Sequence, residues 1–182
     1  MYPVTLTGRV VTLREFQADD AAASLSVVGD PEVTRWLSFD SRDFGQAAEM
    51  VMGATKRAQL VPRTEYYLAV TLANDEFIGF ARLGLDGVKA AKLGYAIRAD
   101  QWGQGYATDA ARTLTAFGFH ELGLHRISAA IGPDNAGSIA VAERLGMHQE
   151  GTIRDHVFTN GAWRDSVLYS VLENEWAGSA AA

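Results

Sequence analysis

The sequence predicts one domain of mixed α/β class, built on a largely antiparallel sheet with helices packed against it. Three observations carry that reading. Runs rich in β-branched and aromatic residues recur along the chain, and two of them bracket the turn-prone pair Asn160-Gly161. Between the runs lie stretches whose small and apolar residues recur at helical spacing. The 182 residues, 48% apolar and 21% charged, suit a single compact domain of ordinary globular composition.

Residues 4–16 (VTLTGRVVTLREF) read as one strand or as two short strands joined at Gly8. Asp19 and Asp20 suit a helix N-terminus before AAASLSVV, which Gly29-Asp30-Pro31 closes. A second helix is expected from about Phe44 to Leu60, ending before Pro62. TEYYLAVTLA and EFIGFARLGL then read as two strands across a turn at Asn74-Asp75, and AKLGYAIR as a third. From Gly105 the period changes: Ala107, Ala110, Ala111, Leu114, Phe117 and Gly118 give a helix one small, apolar face able to approach a sheet closely. HRISAAI is strand-like, Asp134-Asn135 begin a short helix that Gly146 ends, and TIRDHVFT and AWRDSVLYSVL form a hairpin across Asn160-Gly161. The domain is expected to span 1–176, with 177–182 as a disordered tail.

Charge and composition narrow the function classes. A net charge of −6, from 22 acids and 16 bases, offers no general attraction to nucleic acid and mildly favours a cationic partner. The absence of cysteine excludes disulfides, thiolate metal sites and a cysteine nucleophile. His120, His125 and His148 are dispersed without metal-ligand spacing, so no metal is expected. MYPVTLTGR lacks a charged-then-apolar run, and no apolar stretch approaches the roughly 20 residues of a membrane span, so a cytoplasmic protein is expected.

The chemistry concentrates in LGYAIRADQWGQGYATDAARTL (93–114), a strand running through a glycine-rich turn into a helix. Glycines there let a ligand approach the backbone, and the first amides of the helix are unpaired at its positive dipole end, an arrangement that binds phosphate. Nucleotide motifs do not fit: GxxxxGK[ST] is absent, and GxGxxG fails at Thr108.

WGQGYAT after the GYAI strand resembles the acyl-CoA loop of the GNAT N-acetyltransferases. Asn135-x-x-Ser138, ERLGM (143–147) and EGTIRDHVF…NGAWRDSVLYSVL (150–172) extend the resemblance over nearly the whole chain, toward the ribosomal-protein-alanine N-acetyltransferase branch. It implies the GNAT fold, a mixed, mostly antiparallel sheet with helices on both faces, and acetyl-CoA as cosubstrate. The pantetheine arm would then lie along Tyr95, Ala96 and Ile97. The pyrophosphate would meet Gly103, Gln104, Gly105, Tyr106, Ala107 and Thr108. Trp102 replaces the family's usual Gln or Arg and is either a packing aromatic or a coenzyme contact. Asn135 caps its helix, touches the coenzyme, or does both.

The resemblance also implies direct attack of a neutral amine on the acetyl thioester through a tetrahedral intermediate. That chemistry calls for a base, an oxyanion donor and an acid for the departing thiolate. A main-chain amide near Ala96 or Ile97 can serve the oxyanion. The tyrosine many members use as acid is Ala142 here. Ser138 is the substitute the branch suggests, its alternative being a bond to local backbone. A glutamate base used by a related enzyme type falls at Val157. His156 and Asp155 stand beside that position, and strand alternation sends only one of them into a shared site. Either is a base candidate, with a chain of waters as the other option. Trp36 and Phe39, in PEVTRWLSF, either wall an amine pocket or pack the core, and of Tyr66 and Tyr67 one faces inward.

The resulting expectation is an N-acetyltransferase acting on a primary amine. A protein or peptide N-terminus comes first, with polyamines, amino acids and antibiotic amines as alternatives, and monomer or homodimer as the assembly. The competing class is an acyl-CoA-binding regulatory module without turnover. A nucleotide-binding domain is a third.

Overall fold

The computed structural model describes residues 1–176; the tail expected to be disordered lies outside them. Eight strands and five helices follow the chain: β1 (Thr5–Thr7), β2 (Thr12–Glu15), α1 (Asp20–Val28), α2 (Pro31–Thr34), α3 (Phe44–Ala58), β3 (Glu65–Thr71), β4 (Phe77–Leu85), β5 (Ala90–Ile97), α4 (Tyr106–His120), β6 (Arg126–Ile131), α5 (Ala136–Arg144), β7 (His148–Thr159) and β8 (Ala162–Leu172). They form one sheet in the order β1-β2-β3-β4-β5-β6-β8-β7. Every pairing is antiparallel except β5 with β6.

Local chemistry accounts for the helix starts. Asp43 caps α3 by accepting from the Gln46 amide at 2.9 Å, while the Gln46 side chain accepts from the Asp43 amide at 3.0 Å, a reciprocal capping box. Replacing Asp43 by alanine is expected to cost about 1 kcal/mol, read from the shift of the denaturation midpoint. At α1 the second of the two expected aspartates acts: Asp19 makes no side-chain cap bond, whereas Asp20 accepts from the Gln17 amide at 2.7 Å and takes both terminal nitrogens of Arg14. Proline at the first position of α2 adds a helical turn between the two long helices, with Asp30 accepting from the Glu32 amide.

Helices cover both faces. On one, α4 and α5 pack on Leu83, Leu93, Ile127 and Val171. The small face of α4 permits that closeness, since a Cβ at Gly118 would stand 2.8 Å from Ile127 Cδ1. On the other, α1 and α3 enclose Phe16, Tyr67, Phe77, Phe80 and Ala96. Tyr67 stacks edge-on against both Phe16 and Phe80, with centroids 5.3 and 5.2 Å apart. Tyr66 faces the α4 side against Phe117, so both tyrosines are core residues on opposite faces.

Two irregularities position the site. Strands β5 and β6 pair only from Ala90↔Arg126 to Lys92↔Ser128, although β4 follows β5 to Ile97 and β8 follows β6 to Ile131. Beyond Lys92 the two central strands part and each leaves an unpaired edge. The second is in β7, which begins at His148 instead of near Thr152. Its register with β8 jumps from Ile153↔Ser166 to Val157↔Arg164. Residues 154–156 form a bulge there, with Asp155 at φ +47°. The hairpin then closes on Asn160 and Gly161, both at positive φ, as their sequence predicts.

Candidate active site

The gap between β5 and β6 opens into one cavity of about 1860 Å³ that runs through the sheet from the α4–α5 face to the α1–α3 face. Nine basic side chains line it against three carboxylates, a local charge opposite in sign to that of the whole chain.

On the α4–α5 face the amides of Gly103, Gln104, Gly105, Tyr106, Ala107 and Thr108 have no partner within the described residues; the first bonded amide of α4 is Asp109, to Gly105 O. Gly103 and Gly105 hold φ of +78° and +83°, which only glycine adopts without strain. Six consecutive amides thus stand unbonded at a helix N-terminus on the cavity lining, an arrangement that suits a diphosphate. Asp109, itself buried, accepts from the Arg9, Val10 and Val11 amides at 3.1, 2.9 and 3.1 Å and so draws the β1–β2 loop and Arg9 to the rim. Along β5 beyond Lys92, Tyr95 and Ile97 turn their main-chain groups to the unpaired edge that an extended polar arm would join as an added strand, while those of Ala96 face β4, as the Arg98-to-Ile78 bond two residues on requires. Residues 93–108 thus fit an acyl-CoA, from backbone edge to diphosphate cradle.

Each expected contact has a definite place here. Trp102 donates its indole N–H to Ile97 O at 2.7 Å and is still 42% exposed on the cavity rim, so it closes the end of β5 while leaving a ring face open. That bond uses the Ile97 carbonyl. Asn135 caps α5, its Oδ1 accepting from the Ser138 amide at 3.1 Å. The Ser138 hydroxyl lines the cavity with no protein partner among the described residues, and Ala142, where a tyrosine would stand, is packed in the core. The Tyr95 hydroxyl reaches the Ser138 carbonyl at 3.4 Å; burial pushes it up to about 12, so it remains a proton donor throughout the neutral range. That side chain was not anticipated, because the motif concerns the Tyr95 backbone.

On the α1–α3 face the walls are Trp36, Leu37, Phe39 and Arg42 from the segment after α2, then Tyr67, Phe80 and Arg82 from the sheet. Trp36 and Phe39 are half-buried and each lies under a guanidinium, Arg35 at 4.4 Å and Arg42 at 4.0 Å from the ring centroids. The segment is fastened from across the sheet. Arg164 donates to the carbonyls of Arg35, Trp36 and Leu37 at 2.8, 3.4 and 3.1 Å, and the Asn160 amide donates to Asp40 at 2.7 Å.

The bulge in β7 separates the two base candidates. His156 lines the cavity, its Nδ1 2.9 Å from the hydroxyl of buried Ser166. Asp155 does not line it: its amide donates to Asp165 at 2.9 Å and its positive φ carries the side chain away. Ser166 and Arg164 also escape a reading by motif, since only the strand pairing brings them beside His156 and Trp36.

Among the described residues no group of three or more His, Cys, Asp or Glu side chains could hold a metal, and no helix is long and apolar enough to cross a membrane.

Comparison with known proteins agrees with the geometry. Residues 11–148 match the Acetyltransferase (GNAT) domain. The chain is 30% identical over 177 residues to the uncharacterized N-acetyltransferase p20 of Bacillus licheniformis, covering 96% of this chain and 99% of that one. It is 33% identical over 172 residues to the uncharacterized N-acetyltransferase YnaD of Bacillus subtilis, covering 94% and 98%. The structure superposes on Mycobacterium smegmatis RimJ in complex with CoA-disulfide with a TM-score of 0.86 at 25% identity, covering 98% and 93% of the two chains. With a split central sheet, a bare-amide loop and these relatives, the chain belongs to the GNAT family of N-acetyltransferases, acyltransferases that draw their acetyl group from acetyl-CoA.

Proposed function

We propose that this acetyltransferase modifies the primary amine at a peptide N-terminus, in the cytoplasm, with His156 as the base. One observation carries the reading: the unpaired edge of β5 and the six unbonded amides of residues 103–108 open from one face onto the same gap that His156, Trp36 and Phe39 line from the other. The similarity over 87 residues, at 32% identity, to the [ribosomal protein uS5]-alanine N-acetyltransferase of Escherichia coli supports a protein acceptor.

Acetyl-CoA supplies a thioester carbonyl; the chain supplies placement and proton handling. Gly103 to Thr108 hold the diphosphate, the β5 edge aligns the arm, and of the two candidate amides that of Ile97 faces the gap and serves the carbonyl oxygen as it gains charge, since Ala96 faces β4. His156, held by Ser166, accepts a proton from the incoming ammonium or amine. Ser138 is the donor to the departing sulfur, with the Tyr95 hydroxyl beside it. A thiol of ordinary acidity, near 8.5, leaves as thiolate with little help, so Ser138→Ala is expected to lower kcat only about tenfold while CoA affinity stays unchanged.

The test is free-thiol release from acetyl-CoA with peptides bearing Ala, Ser or Thr N-termini, amino acids, polyamines and aminoglycosides, with product masses checked. Acceptor-dependent release with peptides supports the reading. Release with a small amine alone moves the function to small-molecule acetylation, and CoA binding without release to any acceptor favours a regulatory module.

A further inference from the structure

The acceptor side of the cavity carries a pair of guanidiniums held ready by one buried carboxylate. Glu65, only 8% exposed, accepts from Arg57 Nε on one oxygen and from Arg82 Nε on the other, both at 2.6 Å. Burial disfavours the Glu65 charge, but the two arginine hydrogen bonds outweigh it and hold the carboxyl below its usual value. Each arginine is engaged through Nε only. Neither has a protein partner for its terminal nitrogens among the described residues, both are about half exposed, and both line the cavity. Three arginines surround Tyr67 here: Arg42, over the Phe39 ring, is the third beside Arg57 and Arg82.

The other charges on this face are already matched. Lys92 pairs with Asp86, Arg126 with Glu150, and Arg164 spends its terminal nitrogens on main-chain carbonyls. Glu65 is the sole carboxylate lining this side, and both of its oxygens are occupied. A polycationic acceptor would therefore find no free anion, whereas an anion would find forked donors already fixed in direction, the geometry that matches a carboxylate. The location suits an acceptor. Arg82 lies two residues along β4 from Phe80, which pairs with Ala96, so its Cα is about 8 Å from that of Ala96 on the same face. The guanidinium turns along the strand away from Ala96, toward Glu65 and Gly84, where a Cβ would stand 3.1 Å from Arg82 Nη2, so its terminal nitrogens suit the distal end of a long acceptor.

We infer that the Arg57–Glu65–Arg82 cluster, with Arg42, is a carboxylate subsite, and that the acceptor carries a carboxylate well separated from the amine that is acetylated. This rests on the amine-acetylating reading above and replaces the cationic acceptor suggested by overall acidity. Two sources present the same chemistry: the side-chain carboxylate of a free amino acid, or an acidic side chain in the first residues of a peptide.

Calorimetric titration of the full chain saturated with CoA tests it. The probes are amidated Ser-Asp-Glu-Ala, Ser-Asn-Gln-Ala and Ser-Lys-Lys-Ala peptides, glutamate against its diamide, and spermidine. At least one carboxylate probe is expected to bind roughly 10- to 100-fold more tightly than its neutral counterpart, and Arg57→Gln and Arg82→Gln are expected to abolish that preference. Whether the peptide or the amino acid shows it identifies the source. Equal affinity for carboxylate and amide, tighter binding of spermidine, or no carboxylate binding at millimolar concentration overturns the inference on the wild-type chain alone. A preference that survives in both folded glutamine variants overturns the assignment to these arginines. Carboxylate preference without thiol release from acetyl-CoA would leave the subsite standing and remove the catalytic reading instead.

Discussion

Replacing His156 by alanine is expected to lower kcat for acetyl transfer by on the order of 10²- to 10⁴-fold, with CoA affinity unchanged. At neutral pH an acceptor amine is mostly protonated and cannot attack a carbonyl until it loses a proton, so a base facing the acceptor wall supplies a kinetic necessity. His156 meets the geometric condition because the β7 bulge turns it into the cavity and Ser166 holds its Nδ1 at 2.9 Å. The measurement is kcat for wild type and variant at saturating acetyl-CoA and acceptor, with CoA affinity read separately by calorimetry. Ser166→Ala, which removes only the hold on the ring, should have a smaller effect of about tenfold on kcat. A variant at residue 156 that retains wild-type rate would transfer the role to bound water.

Gly105→Val is expected to weaken CoA binding about 100-fold while leaving most of the thermal stability in place. At φ +83° a β-branched residue is strained wherever its side chain points, and a Cβ there would meet nothing of the protein within 4 Å. The strain is relieved by turning the peptide. That movement disperses the amides of residues 103–108, which converge only because Gly103 and Gly105 both adopt left-handed geometry. Calorimetry with CoA reads the affinity, and a thermal melt confirms folding. Undiminished affinity in a folded variant would place the diphosphate elsewhere.

The parts of this molecule that sequence conveys well are those encoded within a few neighbouring residues. Asn160-Gly161 announces its hairpin because both residues tolerate positive φ. The small face of α4 announces close packing on the sheet, and the glycines of the loop announce the run of unbonded amides from 103 to 108. The acceptor side is legible only in part. Trp36, Phe39 and His156 could be named from the resemblance, but the arginine pair could not, since Arg57, Glu65 and Arg82 meet only through the β3–β4 register and the docking of α3. Alternation rightly admits only one of Asp155 and His156 to the cavity, but which one is settled by the two extra residues of the β7 bulge, where Asp155 adopts positive φ without the glycine that would have marked the site. Net charge fails for a related reason. The sum over the chain is acidic, while the cavity gathers bases from distant segments.

The three bonds from Arg164 to the carbonyls of residues 35–37 have a consequence for how the protein matures. They link positions more than 125 residues apart, and the partner of the early segment belongs to β8, the last of the described strands, three residues past Gly161 of the hairpin turn. During synthesis the N-terminal portion emerges first. The diphosphate cradle and the β4–β5 edge can assemble from residues already available, but the wall that receives the amine stays unfastened until β8 has emerged and docked on β6. The fastening of residues 35–37 therefore waits on β8, whereas the loop of residues 103–108 and the β4–β5 pairing draw on earlier segments.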